Sequence, residues 1–224
     1  MPGKDLDFIS LAQFQQPINC CNVTSLAYAF SALGFPTTVD EIFYATRLPI
    51  ASVLDDGMTL AETYDTCGLY IKNTGVPMSV RMLCFDTPGT TYETFVKELE
   101  RASRDPSDIH IFNFSVSIAH AVPGIGGGHF SLMADYNSET QELTIADTNP
   151  KKYTRYWKCP AKRMYDACVD KDSSSTRPRG LLVIRKLETV TAAATVPTAA
   201  AGKPASAPAV VYSQPLAAPE KPAS

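Results

Sequence analysis

The chain has 224 residues, of which 45% are hydrophobic and 19% charged, enough for one well-packed domain. Its 20 basic and 23 acidic side chains leave a net charge of −3, which argues against a phosphate-binding face and so against a nucleic-acid partner. No apolar run approaches the roughly 20 residues of a membrane span, and the start MPGKDLDFIS lacks the apolar core of a secretory signal, so a soluble, cytoplasmic protein is expected.

Along the chain, Val23, Leu26, Ala27, Phe30 and Leu33 fall at helical spacing and predict a first helix over 22–34, stopped by Gly34-Phe35-Pro36. A second short helix is expected over 40–48, with Ile42 and Phe43 inside. A third, over 58–67, is opened by Thr59. Thr90-Thr91 caps a fourth, whose stripe is Tyr92, Phe95, Val96 and Leu99. The period then changes to two. Residues 109–114, 130–136 and 142–146 alternate as strands, and Asn137-Ser138-Glu139-Thr140 joins the last two as a hairpin. His110 then faces away from Ile109 and Ile111, while His120 falls in a solvated loop over 119–128. Residues 180–184 are apolar throughout and predict a central closing strand. Helices first and an antiparallel sheet second make an α+β domain over residues 1–187. From residue 188 to 224 the chain is dominated by Ala and Pro, and a disordered tail is expected because such a segment cannot offset its ordering entropy.

Six cysteines are too few for a disulfide scaffold at this length, none forms a CxxC pair, and only three histidines exist, so no resident metal site is expected. Cys67, Cys84 and Cys168 read as packing thiols, and Cys20 as packing behind the first helix. Cys21 differs because it opens that helix. The unsatisfied N–H groups and the positive end of the macrodipole stabilise a thiolate there. Gln15, six residues upstream, can turn its amide NH₂ toward an oxyanion, with the Cys21 backbone N–H as second donor. His129 follows three glycines at the start of a strand and can serve as base to a thiol. Asp147 ends the partner strand, where hairpin pairing sets it beside His129 to hold the imidazole tautomer. A Gln before a Cys, a His 108 residues later and then an Asp is the chain order of papain-like enzymes.

More of the sequence follows one family. Gln15 through Cys21 into Val23-Thr24-Ser25-Leu26, then Ser31-Ala32-Leu33-Gly34, Gly57-Met58-Thr59-Leu60, Asn113-Phe114 and Gly127-Gly128-His129-Phe130-Ser131 resemble the phytochelatin synthase catalytic domain, itself papain-like. Asp147 lies 18 residues after the His, and Lys152-Tyr153, Trp157 and Arg179-Gly180 keep the family's offsets. The resemblance covers residues 11–186. It implies Cys21 as nucleophile, His129 as general base, Asp147 as orienting carboxylate and Gln15 as oxyanion donor, with Gln16 as the alternative under a one-residue shift. Lys152, Tyr153, Gly128 and Asn113 are the implied substrate contacts, and Trp157 with Tyr153 is expected to pack the Asp147 loop.

The implied reaction is cleavage of the Cys–Gly bond of glutathione, release of glycine, and transfer of the γ-glutamylcysteinyl group from Cys21 to glutathione, a phytochelatin or water. No tightly bound cofactor is implied. Cd²⁺ or Zn²⁺ would activate transfer as metal–glutathione thiolates, a role in heavy-metal detoxification. A homodimer is expected from likeness to short family members, which lack the cysteine-rich C-terminal domain of the plant enzymes and favour hydrolysis. Two positions depart from the pattern. Asn22 stands where the family has Gly, and tolerates the positive φ a turn there would need. Pro150 stands where the family has an Arg that engages the substrate, leaving Lys151 or Lys152 as point charges without its fork. The alternative is a papain-like thiol peptidase of the bacteriocin-leader, double-glycine type, whose Asp-x-x-Pro turn residues 147–150 imitate. Tyr153, Trp157 and Arg179-Gly180 favour the glutathione reading.

Overall fold

A computed structural model describes residues 16–149 and 151–188. Gln15, Pro150 and all but the first residue of the Ala/Pro segment therefore lie outside the described residues. Four helices come first: α1 (Cys21–Ala32), α2 (Val39–Thr46), α3 (Ile50–Asp56) and α4 (Leu60–Thr74). Then follow β1 (Met78–Cys84), α5 (Tyr92–Arg104), β2 (Asp108–Ser115), α6 (Val116–Ala119), β3 (Gly128–Asn137), β4 (Glu142–Ala146), β5 (Tyr156–Pro160), α7 (Ala161–Val169) and β6 (Gly180–Lys186).

Local chemistry sets the helix starts. Thr38, Thr59 and Thr91 each accept a hydrogen bond from the backbone N–H three residues on, and Glu41, Glu62 and Thr94 reach back to close capping boxes. Helix α4 runs past the expected Cys67 to Thr74, where Gly75 ends it in the left-handed conformation. The expected hairpin forms, with Asn137 Oδ1 accepting from the N–H groups of Glu139 (2.9 Å) and Thr140 (3.1 Å).

The six strands form one antiparallel sheet in the order β1-β6-β2-β3-β4-β5. β6 lies inside it, between β1 and β2, as its unbroken apolar run predicts. Two cores sandwich the sheet. On one face Leu26, Phe30 and Ile42 pack with Ile109, Ile111, Leu132 and Ile184. On the other Phe95, Leu99 and Met164 pack with Phe112, Phe114, Met133 and Ile145. Because both faces are covered, every residue of β2 is buried, His110 included. That ring points away from Ile109 and Ile111 and meets Glu98 Oε1 at 2.7 Å.

Elements α3, β1, α6, β5 and α7 do not figure in the sequence reading. β1 and β5 are edge strands whose burial is only partial, so their apolar period is weak. The fold serves to press α1, and so Cys21, against β2 and β3. Phe30 is fully buried and sits 4.7 Å from the Tyr70 ring, centroid to centroid, tying α1 to α4. We expect Phe30→Ala to destabilise the fold by about 3–5 kcal/mol in urea unfolding, since a cavity adds to the lost transfer free energy. A change below 1 kcal/mol would show that α1 is docked by other contacts.

Candidate active site

The turn before α1 is shaped by Asn19, whose φ of 56° is left-handed. Its Nδ2 donates to the carbonyls of Leu54 (2.7 Å) and Asp55 (3.3 Å), anchoring the turn on α3. Cys20 N donates to Pro17 O at 3.1 Å, and the helix begins at Cys21. Asn22 is therefore helical rather than a left-handed turn residue. The strained position is Asn19, three residues earlier than the family comparison suggested.

Sheet pairing supplies the other two groups. Phe114 pairs with His129 across β2 and β3, and Leu132 pairs with Ala146 across β3 and β4. Asp147 thereby arrives beside the imidazole, and His129 Nε2 donates to Asp147 Oδ1 at 2.9 Å. Asn149 N donates to the same oxygen at 2.8 Å, and the Trp157 indole N–H donates to Oδ2 at 2.9 Å. Trp157 thus does more than pack the loop: both oxygens of a buried carboxylate are satisfied. Burial works against ionisation of Asp147, but the His129 bond and charge, with the Asn149 and Trp157 donors, outweigh it and hold the carboxyl below its usual range.

With Nε2 committed to Asp147, the remaining ring nitrogen Nδ1 is the one left for the Cys21 thiol, which lies within hydrogen-bonding reach. Burial opposes the imidazolium, yet the bonds to Asp147 and Cys21 and the charges behind them prevail, and the His129 pKa is pushed up to about 9. The site therefore favours a protonated imidazole facing sulfur at neutral pH. Burial pushes Cys20, Cys67, Cys84 and Cys168 up, and raises Cys159 to about 11.

His120 is not in a solvated loop. Its ring stacks on Tyr153 at 4.7 Å and 8°, and lies 4.2 Å from the Trp157 ring. Burial, resisted by the Asp147 charge, keeps His120 below the ordinary histidine range, so a neutral ring fills the stack. Tyr153 also approaches His129, centroids 5.3 Å apart.

Cys21 and Gly128 line two cavities. The first, about 550 Å³, is also lined by Asn22, Asn113, Phe130 and Arg179. The second, about 410 Å³, is lined by Gln16, His129, Lys151, Lys152 and Tyr153. The four substrate contacts expected from sequence thus divide, Asn113 on one side, Lys152 and Tyr153 on the other, with Gly128 between. Gln16, the alternative oxyanion residue, lines the second cavity, and its Oε1 accepts from the Thr148 hydroxyl at 3.0 Å.

Four charged residues that line the first cavity, Asp56, Glu62, Asp172 and Arg179, were not anticipated as site residues. Arg179 is 7% exposed, lies 3.7 Å from Asp172 and donates to Asn113 Oδ1 at 3.3 Å. Asp172, likewise buried, shares the cavity. Arg179 carries a sequence signal, its adjacency to Gly180. A Cβ at Gly180 would stand 2.3 Å from Leu83 O, so only glycine lets β6 start there. Asp172 carries none. Among the described residues no group of three His, Cys, Asp or Glu side chains could hold a metal ion.

A Cβ at Gly128 would stand 1.9 Å from Arg179 Nη1, so the guanidinium occupies the space that glycine leaves. Gly128→Ala is expected to cost about 1–3 kcal/mol in chemical denaturation. In an Arg179→Ala background most of that cost should disappear. Equal costs in both backgrounds would mean that the arginine does not set the requirement.

Compared with known proteins, the chain matches the family model described as Phytochelatin synthase over residues 5–181. It is 25% identical over 187 residues to glutathione gamma-glutamylcysteinyltransferase 2 of Arabidopsis thaliana, an alignment covering 80% of this chain and 39% of that protein. The chain thus spans about two-fifths of the length of the curated relative it matches. Among solved structures, the peptidase domain of Streptococcus ComA is similar at a TM-score of 0.43 and 13% identity, covering 76% of this chain and 95% of that one. The Pseudomonas avirulence protein AvrPphB gives 0.33 and 8%, covering 76% and 91%.

Proposed function

The chain belongs to the phytochelatin synthase family, and we propose that it is a thiol transpeptidase acting on glutathione, a glutathione γ-glutamylcysteinyltransferase able to pass its acyl group to water as well. The observation that carries this reading is the line Cys21–His129–Asp147 set between two cavities, one on each side of the sulfur. Cleavage needs room for the acyl half on one side of the sulfur and for the departing glycine on the other, and a transferase refills the second side with the acceptor.

In the proposed sequence the γ-glutamylcysteinyl half lies in the first cavity. Arg179 and Asp172 there present opposite charges, matched to the carboxylate and ammonium of a γ-glutamyl head. The Cys21 thiolate adds to the carbonyl of the Cys–Gly bond. Its oxyanion is received by the Cys21 backbone N–H and a glutamine amide, from Gln15 or Gln16. As the C–N bond breaks, the His129 imidazolium gives its proton to the departing glycine nitrogen, leaving a thioester on Cys21. The amine of a second glutathione, or water, then attacks from the second cavity and gives a proton to the now neutral His129. The thioester breaks and the thiolate is restored. Lys151 and Lys152 line the acceptor side and offer point charges to its carboxylates, without the bidentate geometry of an arginine.

Cd²⁺ and Zn²⁺ enter this proposal as part of the substrate, bound to glutathione thiolates. Among the described residues no helix is long and apolar enough to cross a membrane. A cytoplasmic location is part of the same proposal and is supported by six free thiols. A homodimer is proposed on family likeness.

Mass-resolved analysis of purified protein with glutathione, with and without Cd²⁺ or Zn²⁺, tests the reading. Glycine with γ-glutamylcysteine oligomers is expected, and γ-glutamylcysteine alone would assign a hydrolase. No glycine release under either condition would overturn the assignment and return weight to a peptide-cleaving relative. Cys21→Ser is expected to bring glycine release to background, and Asp147→Asn to lower it less, on the order of 10²–10⁴-fold. Release undiminished in Cys21→Ser would refute the nucleophile.

The proton donor also predicts a pH profile. His129 is charged below about 9 and loses its proton above it, so the burst of glycine release should fall as pH rises through about 9. Asp147→Asn removes a group that raises that pKa, so the alkaline limb should move toward lower pH. An unmoved limb would take the general-acid role away from the His129–Asp147 pair.

A further inference from the structure

We infer that Asn22 is a substrate-binding residue whose side-chain N–H group donates to an acceptor oxygen of the γ-glutamylcysteinyl unit held in the first cavity. This deepens the glutathione reading and rests on it. Asn22 is 1% exposed, lines that cavity beside Cys21, and its Nδ2 has no hydrogen-bond partner. The orientation of the carboxamide is determined chemically. Val23 N donates to Asn22 Oδ1 at 2.6 Å, and only the oxygen can accept from a backbone N–H. Nδ2 is therefore turned the other way, carrying two hydrogens and no acceptor.

Asn113 repeats the arrangement from the sheet side. It is also 1% exposed and lines the same cavity. Its Oδ1 accepts from Arg179 at 3.3 Å, and its Nδ2 is likewise without a partner. A buried donor without an acceptor costs about 1–3 kcal/mol. Two of them beside one reactive thiol, each with its carbonyl already engaged, call for acceptor oxygens on the ligand. A γ-glutamylcysteinyl group brings them as an amide carbonyl and a carboxylate. Asn22 and Asn113 line the same cavity as Cys21, so an acyl group held on the sulfur brings its acceptor oxygens into that cavity.

The same side chain also does the work of a helix cap. Cys20 makes no side-chain capping bond, and Asn22 Oδ1 takes the Val23 N–H in its place. Glycine at position 22 can do neither job.

The test compares wild type, Asn22→Gly and Asn22→Ser by kcat/KM for glycine release from glutathione and by the second-order rate of iodoacetamide alkylation at Cys21. Neither substitution changes charge, and Ser keeps a short oxygen for the first turn. We expect kcat/KM to fall at least tenfold in both variants, with alkylation within twofold of wild type and the melting transition retained. Turnover within twofold of wild type, faster turnover in Asn22→Gly, or a parallel fall in alkylation would each overturn the inference. A wild-type protein that releases no glycine overturns the glutathione reading and this inference together. Glycine release by wild type with unchanged variants overturns this inference alone.

Discussion

The site depends on one buried carboxylate. Asp147 is almost fully enclosed, and a charge in that environment is tolerable only when its oxygens are saturated with donors. Here the donors come from three places: an imidazole on β3, a backbone N–H in the loop after β4, and an indole on β5. Each fixes a different segment. The imidazole is turned so that its second nitrogen meets sulfur, the loop is folded so that Lys152 and Tyr153 face the cleft, and β5 is tied to the end of the sheet. His129 gains its raised proton affinity from the same carboxylate. Structure and reactivity are set by a single electrostatic requirement.

Cys21 belongs to another layer. It is carried by a helix on the face of the sheet that packs Leu26 and Phe30 against Ile111 and Leu132, whereas the strand positions of Met133 and Ile145, which share parity with His129 and Asp147, belong to the opposite face. Cys21 and His129 therefore meet at the end of the sheet, where a helix N-terminus can reach around to the strand ends. That crossing leaves open space on both flanks of the sulfur. One flank holds Arg179, Asp172 and two unpaired carboxamide donors. The other is ringed by exposed lysines and an aromatic stack. The two flanks differ in chemistry as a donor site and an acceptor site should.

Of the two departures from the family pattern, Asn22 lies among the described residues, and it lines the first flank. Asn22 adds a donor to the first cavity and an internal cap to α1. His120, on the far side, fills the stack between Tyr153 and Trp157 and so supports the indole that holds Asp147.

Much of this was legible in the sequence because it is local. The capping threonines Thr59 and Thr91, the Asx turn at Asn137, the apolar run of β6 and the stripe of α5 are each written within a few residues, and each forms as its pattern predicts. The order Cys21, His129, Asp147 was legible for a related reason: a helix start, a glycine-flanked strand start and a hairpin partner are local features that imply where side chains point. What could not be read off depended on distant chain segments. α3 and the edge strands β1 and β5 exist because tertiary contacts complete a weak apolar pattern. The Trp157–Asp147 bond, the His120 stack and the Arg179–Gly128 fit join residues separated by a sheet register or a loop that periodicity does not encode. Sequence by itself determined which chemistry is present and in what order. Only the tertiary structure decided which donors are left without acceptors, because an orphaned N–H is defined by what every other part of the chain fails to place beside it.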